Sequence, residues 1–346
     1  MYINFVIEEN KKKYIEYWLL LITFLVAIMI VVGGLTRLTD SGLSITRWDL
    51  ISGILPPFTM NEWNYYFSLY KKIPEYTLLN SSMTIDEFKA IYWWEYIHRL
   101  LGRVIGLFYL LPLIFFHFKK IIEKRFYKPL YLILFLIVLQ GAVGWFMVVS
   151  GLTKNVDVSH YRLSLHLSLA FIILILLFWN YLKLRTKYNY SSYEKLPTYL
   201  PVLFLSVVFI QISTGALVSG LDAGQIYQSW PLMNNYYFPD DSVFADLFSL
   251  NVFNTPSLVQ FIHRNIAYFL IILFIYLGVS VYQNKKFFYY KKNIQIIFII
   301  LIFQIFLGIL TVISGAKIYL ASAHQFGSIL LVLSSVVLVY KNAKTS

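Results

Sequence analysis

The residues that could do chemistry in this chain gather in two short stretches. One is EYIHRLLGR, from Glu95 to Arg103, and the other is QFIHRNIAY, from Gln260 to Tyr268. Each carries an Ile-His-Arg core inside an apolar block. Imidazole in hydrocarbon is costly unless a partner satisfies it, so an intramembrane histidine is a functional candidate. Two further histidines, His166 and His324, lie in the apolar blocks that follow two matching Ser-Gly pairs, Ser150-Gly151 and Ser314-Gly315. Two neutral imidazoles on facing helices can grip one iron from opposite sides, as helical bundles commonly do for a flat macrocycle. The pattern predicts two such sites, His98 with His166 and His263 with His324. Arg99 and Arg264 would then meet propionates near the membrane surface, or simply snorkel to the headgroups. Gly102, Gly106, Gly141, Gly144, Gly308 and Gly315 would let helices approach or leave room for the ring. His117, beside Phe116, Phe118 and Lys119, reads as an interfacial side chain, and His160 as a residue at a loop edge.

The two stretches differ three residues before the histidine, where Glu95 stands in one and Gln260 in the other. Residues three apart share a helix face, so Glu95 lies beside the ring that His98 would hold. A carboxylate in apolar surroundings needs a proton, a positive neighbour or a chemical task. One site then has an acid–base or cation-stabilising group and the other has none. This predicts one reactive site and one electron-transfer site; the plain alternative is a structural ion pair between Glu95 and Arg99.

These residues need elements to carry them. The chain has 346 residues, 59% hydrophobic and 13% charged, with mean hydropathy +0.66. A soluble domain carries about twice that share of charge. Apolar blocks near 15–38, 92–117, 128–150, 160–182, 196–219, 258–283, 292–314 and 320–340 are each long enough to span a bilayer as a helix. The reading is an all-α polytopic membrane protein with eight spans. The net charge of +12 does not form a patch of the kind that binds nucleic acid, because Lys and Arg sit at the ends of the apolar blocks. There is no cysteine, which excludes disulfides, iron–sulfur clusters and thiolate metal sites. No cleavable leader pattern precedes the first block. Lys11 to Lys13, the basic segments 119–128, 183–195 and 285–292, and the C-terminal KNAK fall on one side of the membrane. The long connections 39–91 and 220–257 fall on the other, and the second holds four Asp with no Lys or Arg. Both termini are therefore expected in the cytoplasm.

The chain also repeats itself. QGAVGWFMVVSG from Gln140 echoes QIFLGILTVISG from Gln304, and Asp40 and Asp222 each precede a Gly by two residues and a Trp by eight. Two four-helix units are expected, 1–190 and 191–346, related by a pseudo-twofold axis along the membrane normal. The four paired histidines fall early in inward-running helices, toward the extracytoplasmic side.

At these residues the sequence resembles the heme A synthase family of cytochrome oxidase assembly. The matching stretches are GGLTRLTDSGLSITRW (33–48), EYIHRLLGRVIG (95–106), QGAVGWFMVVSGL (140–152), RLSLHLSLA (162–170), FIHRNIAY (261–268) and AHQFGSILL (323–331), spread over nearly the whole chain. The form is similar to the alphaproteobacterial and mitochondrial branch. Other members carry a cysteine pair in the first external loop, and its absence here means no thiol-based step carries over. The resemblance implies oxidation of the C8 methyl of heme O to a formyl group through successive hydroxylations. It implies Glu95 as the essential acid, His98 and His166 as ligands of the substrate heme, and His263 and His324 as ligands of a heme b. Two routes are held for the family: electron abstraction with water addition and Glu95 stabilising positive charge, or an activated oxygen species. A bis-imidazole substrate heme has no open iron position, which favours the first.

The implied setting is the bacterial inner membrane, or the mitochondrial one, with lipid around the helices. Heme O synthase is the expected partner; the electron acceptor and any homo-oligomer are left open. The rival readings are a diheme b-type cytochrome in quinone-linked electron transfer and, behind it, a transporter built on the repeat. A di-iron site fails because only one copy has the Glu.

Overall fold

The computed structural model describes residues 2–48, 52–152, 156–185 and 194–345, with side chains from residue 12 onward. Among these, helix dominates and no strand forms. Eight helices are long and apolar enough to cross a membrane. They are α1 (Tyr2–Leu38), α4 (Ile85–Phe118), α5 (Lys124–Gly151), α6 (His160–Arg185), α7 (Tyr199–Gly220), α8 (Pro256–Gln283), α9 (Lys291–Ile313) and α10 (Ile318–Lys344). Two short helices, α2 (Met60–Tyr70) and α3 (Pro74–Leu78), lie in the connection between α1 and α4. Large apolar side chains such as Phe108, Leu111 and Phe115 on α4, and Phe298, Ile299 and Phe303 on α9, face outward. Outward-facing apolar surface on self-satisfied helices marks a multi-pass membrane protein.

The hydrophobic blocks bounded the spans within a few residues, except at the starts of α1 and α4; α1 begins at Tyr2, ahead of its block near 15. α4 begins seven residues before its apolar block, because hydropathy marks the hydrocarbon and not the helix. Its start is set by a capping box in which the Thr84 hydroxyl accepts from the Glu87 amide and the Glu87 carboxylate accepts from the Thr84 amide at 2.7 Å. Further along, Pro112 has no amide hydrogen, which leaves the Phe108 carbonyl without its helical donor. The Trp18 indole donates to that carbonyl at 2.9 Å, so α1 repairs the defect in α4.

The chain divides into two compact units, Met1–Leu177 and Phe178–Ser346. In the first, α1 packs along α4, and α4 touches α2 and α5. An aromatic cluster of Trp63, Phe67, Tyr70, Phe88, Tyr92 and Tyr96 pins the 39–91 connection to the start of α4. The Tyr96 hydroxyl extends the clamp by donating to the Ile54 carbonyl at 2.6 Å. In the second unit, α7 packs on α8 and on α10, α9 on α10, and α8 more lightly on α9. The third span of each unit differs in how far protein covers it: α5 is much more exposed than α9.

The twin aspartates end the first span of each unit in the same way. Asp40 and Asp222 adopt left-handed backbone with φ of 47° and 50°, a conformation that Asp tolerates better than most residues. After α1 this closes a Schellman turn, with the Ser41 amide on the Thr36 carbonyl at 3.0 Å and the Asp40 amide on Arg37 at 3.2 Å.

Candidate heme sites

The first unit brings His98 of α4 and His166 of α6 together, with ring centroids 6.5 Å apart. Two imidazole–metal bonds of about 2 Å each, with half a ring beyond each end, span roughly the same distance. In the second unit His263 of α8 has His324 of α10 as its electrostatic neighbour. Each of the four rings rests on a glycine of an adjacent span. A Cβ added to Gly33 or Gly144 would stand 2.7 Å from His98 Cε1 or 2.9 Å from His166 Cε1; at Gly215 and Gly308 it would stand 3.1 Å from His263 and His324. The reason for glycine is close approach: a side chain there would occupy the space of the ring.

Those four positions revise the expected role of the glycines. Gly144 and Gly308 form ring seats, but Gly33 and Gly215 do so equally and escaped the sequence reading. The signal was present, since each stands seven residues before its twin aspartate. Gly102 lets the Met29 methyl approach to 3.3 Å from where a Cβ would be, while Gly106 and Gly141 have no atom within 4 Å of theirs. Gly315 is a turn residue at φ +69° rather than a helix spacer.

The donor set suits a metal that brings its own equatorial ligands. Among the described residues no group of three or more His, Asp or Glu is placed to hold a bare ion. The Nδ1 atoms of His98, His166 and His324 are buried and make no hydrogen bond. Paired imidazoles at this spacing, with ring seats cut to glycine, fit a bis-histidine heme, where His98 and His166 would hold one iron and His263 and His324 another.

Glu95 is buried and fully bonded. Its Oε2 accepts from the Ser44 hydroxyl and the Ile45 amide, both at 2.7 Å, and its Oε1 accepts from Arg99 Nε at 3.0 Å and from Arg99 Nη2. Arg99 in turn donates to the carbonyls of Ile45 at 2.8 Å and Arg47 at 3.3 Å, and its guanidinium lies over Trp48. The ion pair weighed as the plain alternative is therefore formed, and Arg99 is spent on Glu95 and the 44–47 turn. Arg264 likewise donates to backbone, to Tyr227 at 3.0 Å and Leu232 at 3.3 Å. The carbonyls of Ile45 and Tyr227 are counterparts in the repeat, so both arginines buckle the equivalent turn onto their helix. Gln260 donates to the Tyr227 carbonyl at 3.1 Å, and its Oε1 is left unbonded. A carboxylate can only accept where the turn presents donors, and an amide can donate where it presents a carbonyl.

His117 Nδ1 shares a hydrogen bond with the Tyr131 hydroxyl at 2.9 Å on the exposed surface, and its ring packs edge-on against Tyr127 and Phe118, as an interfacial residue should. His160 opens α6, and its ring lies 4.2 Å from that of Tyr161 at a tilt of 39°.

One acid was not foreseen. Glu75 of α3 is 5% exposed within the 39–91 connection; Tyr70 donates to it, and its Oε2 has no partner. Burial pushes its carboxyl up from 4.5 to about 8, with the negative charges of Asp157, Glu95 and Asp40 adding to the rise against the Tyr70 hydrogen bond. The folded chain thus holds this proton more tightly than the unfolded one, so stability falls as pH climbs from about 4.5 to about 8. Glu75→Gln should flatten that fall, read as thermal unfolding on either side of the window; an unchanged slope places the pH dependence elsewhere.

An all-helical, multi-pass membrane protein with two imidazole pairs is the class that fold and site define. Residues 16–336 match the family described as cytochrome oxidase assembly protein. The heme A synthase of Pelagibacter ubique is 49% identical over 341 residues, covering 98% of this chain and 99% of that one. That of Rickettsia bellii is 43% identical, covering 97% and 100%, and that of Rhodopseudomonas palustris is 41% identical, covering 92% and 86%. The chain belongs to the heme A synthase family of cytochrome oxidase assembly proteins.

Proposed function

We propose that this chain is a heme A synthase, a membrane oxidoreductase that converts the C8 methyl of heme O to a formyl group. The observation that carries the reading is the His98–His166 pair, two imidazoles facing at 6.5 Å with a buried carboxylate one turn before the first. In this reading His98 and His166 hold the substrate heme O, and His263 and His324 hold a resident heme b. When bound, the heme b supplies a one-electron carrier. The protein's own part is to seat the rings on Gly33, Gly144, Gly215 and Gly308 and to keep a negative charge at Glu95, where it favours positive charge developing on the substrate. The Glu95–Arg99 pair and the aromatic cluster also close the 39–91 connection over that end of α4, which restricts water.

The Lys and Arg distribution puts both termini in the cytoplasm and the connections 39–91 and 220–257 outside, in the inner membrane of a bacterium. Heme O synthase is the natural donor, since a greasy substrate passes best between membrane neighbours. The test is mass analysis of heme from cells making heme O with and without this chain. Heme A is expected only with it; heme A absent in both, with heme b bound, would turn the reading to a diheme electron carrier.

Gly33→Ala and Gly144→Ala should tilt the rings off their rotamers, at about 0.5–1.5 kcal/mol, and weaken heme binding about 2- to 10-fold. Gly215→Ala and Gly308→Ala should do less, since their seats are 3.1 Å from the ring against 2.7 and 2.9 Å. Heme content per chain after purification reads the order.

A further inference from the structure

His263 differs from the other three paired histidines in its second nitrogen. Its Nδ1 lies 3.1 Å from the Thr214 hydroxyl, whereas the Nδ1 atoms of His98, His166 and His324 are buried with no hydrogen bond. The Thr214 hydroxyl has one hydrogen, and it donates that hydrogen to the Gln211 carbonyl at 3.0 Å. With its hydrogen on the Gln211 carbonyl, the hydroxyl is left to accept from His263, the arrangement that places the imidazole proton on Nδ1. The lone pair is then left on Nε2, the nitrogen free to bind a metal. That nitrogen now faces the Gln211 side-chain amide at 3.1 Å, a hydrogen bond that turns with one side-chain rotation when a stronger partner arrives.

The first unit lacks this device at the equivalent place. Gly33 and Gly215, the seats of His98 and His263, are counterparts in the repeat, anchored by the same spacing to Asp40 and Asp222. The residue just before the seat is Val32 in one and Thr214 in the other, and Gln211 has Met29 as its counterpart. Valine has the shape of threonine without the hydroxyl, so the His98 ring is seated but not latched.

We infer that the Thr214 hydroxyl is a positioning group that fixes the metal-binding tautomer and orientation of His263, making the second unit the permanent heme site and leaving the first, with Val32, able to exchange its heme. This rests on the proposed function, in which one heme stays and the other enters and leaves. It also bears on how a bis-imidazole substrate site can work at all, because an unlatched His98 is the ligand best able to let go. A group that orients a metal-bound histidine through its other nitrogen is typically worth 10–100-fold in affinity.

The experiment loads the purified full-length protein with hemin and follows heme transfer to an excess of apomyoglobin by absorbance. His98→Ala chains report the second site and His263→Ala chains report the first. Thr214→Val should speed heme loss from the second site about 10- to 100-fold, and Thr214→Ser, which keeps the hydroxyl, should restore slow loss. The converse Val32→Thr should slow loss from the first site, and this gain cannot arise from misfolding. Heme loss from Thr214→Val at the wild-type rate, or equally fast loss from Thr214→Ser, overturns the latch. Failure of the functional reading shows on a different signal, the absence of heme A from extracted heme, which the transfer rates do not register.

Discussion

Replacing His98 or His166 with alanine is expected to abolish heme A formation while leaving the heme of the second unit spectroscopically intact. The two pairs lie in separate compact units, and each ring has its own glycine seat, so the loss of one pair need not disturb the other. Even groups that only orient a metal ligand are worth 10–100-fold, so removing the ligand itself should lower product more than about 100-fold. His263→Ala and His324→Ala should do the reverse to the spectra, removing the resident heme while heme O still binds the first unit. The measurement is a reduced-minus-oxidised spectrum alongside heme extraction. Heme A at the wild-type level from both first-unit variants would remove His98 and His166 from the substrate site.

The second large effect is expected from Glu95→Gln. The carboxylate accepts from four donors, and the amide cannot match them in either orientation, because its NH2 would face Ser44 and Ile45 on one side or Arg99 on the other. The variant also leaves the half-buried Arg99 without its counter-charge. Product should fall about 10²- to 10⁴-fold, the range for loss of a positioned acid or base, with heme content retained. Ser44→Ala separates chemistry from scaffolding. It removes one hydrogen bond, worth about 1 kcal/mol, and keeps the carboxylate. It should therefore cost no more than about 10-fold. If Ser44→Ala is as inactive as Glu95→Gln, then Glu95 serves to hold the 44–47 turn and not the reaction. Gln260 is no precedent for tolerance, because the turn it faces presents a carbonyl where that of Glu95 presents an amide hydrogen.

Much of this site was legible before any coordinates. Lipid imposes a single solution on a long apolar block, so length and hydropathy located eight helices, and Lys and Arg at their ends located the loops. Duplication then sorted the histidines, because a residue kept at both copies of a frame has a shared reason to be there. The same repeat relates Gly33 to Gly215, each seven residues before its twin aspartate and one helix ahead of its histidine. The partners of Glu95 were only half legible: Arg99 one turn on along the helix could be named, but Ser44 and the Ile45 amide are about fifty residues away in the chain. Glu75 was invisible because its neighbours come from segments that no periodicity relates.

Sequence alone determined what kind of molecule this is: an all-helical membrane protein, duplicated, with imidazoles repeated in both copies and a carboxylate in one. Those properties follow from composition and local spacing, which a helix in hydrocarbon translates directly into position. Only the tertiary structure decided that Thr214 and Gln211 meet the two nitrogens of His263, that Arg99 is spent on Glu95, and that glycines seat the rings. Such matters depend on distances of a few tenths of an ångström between segments far apart in the chain, and those are set by packing.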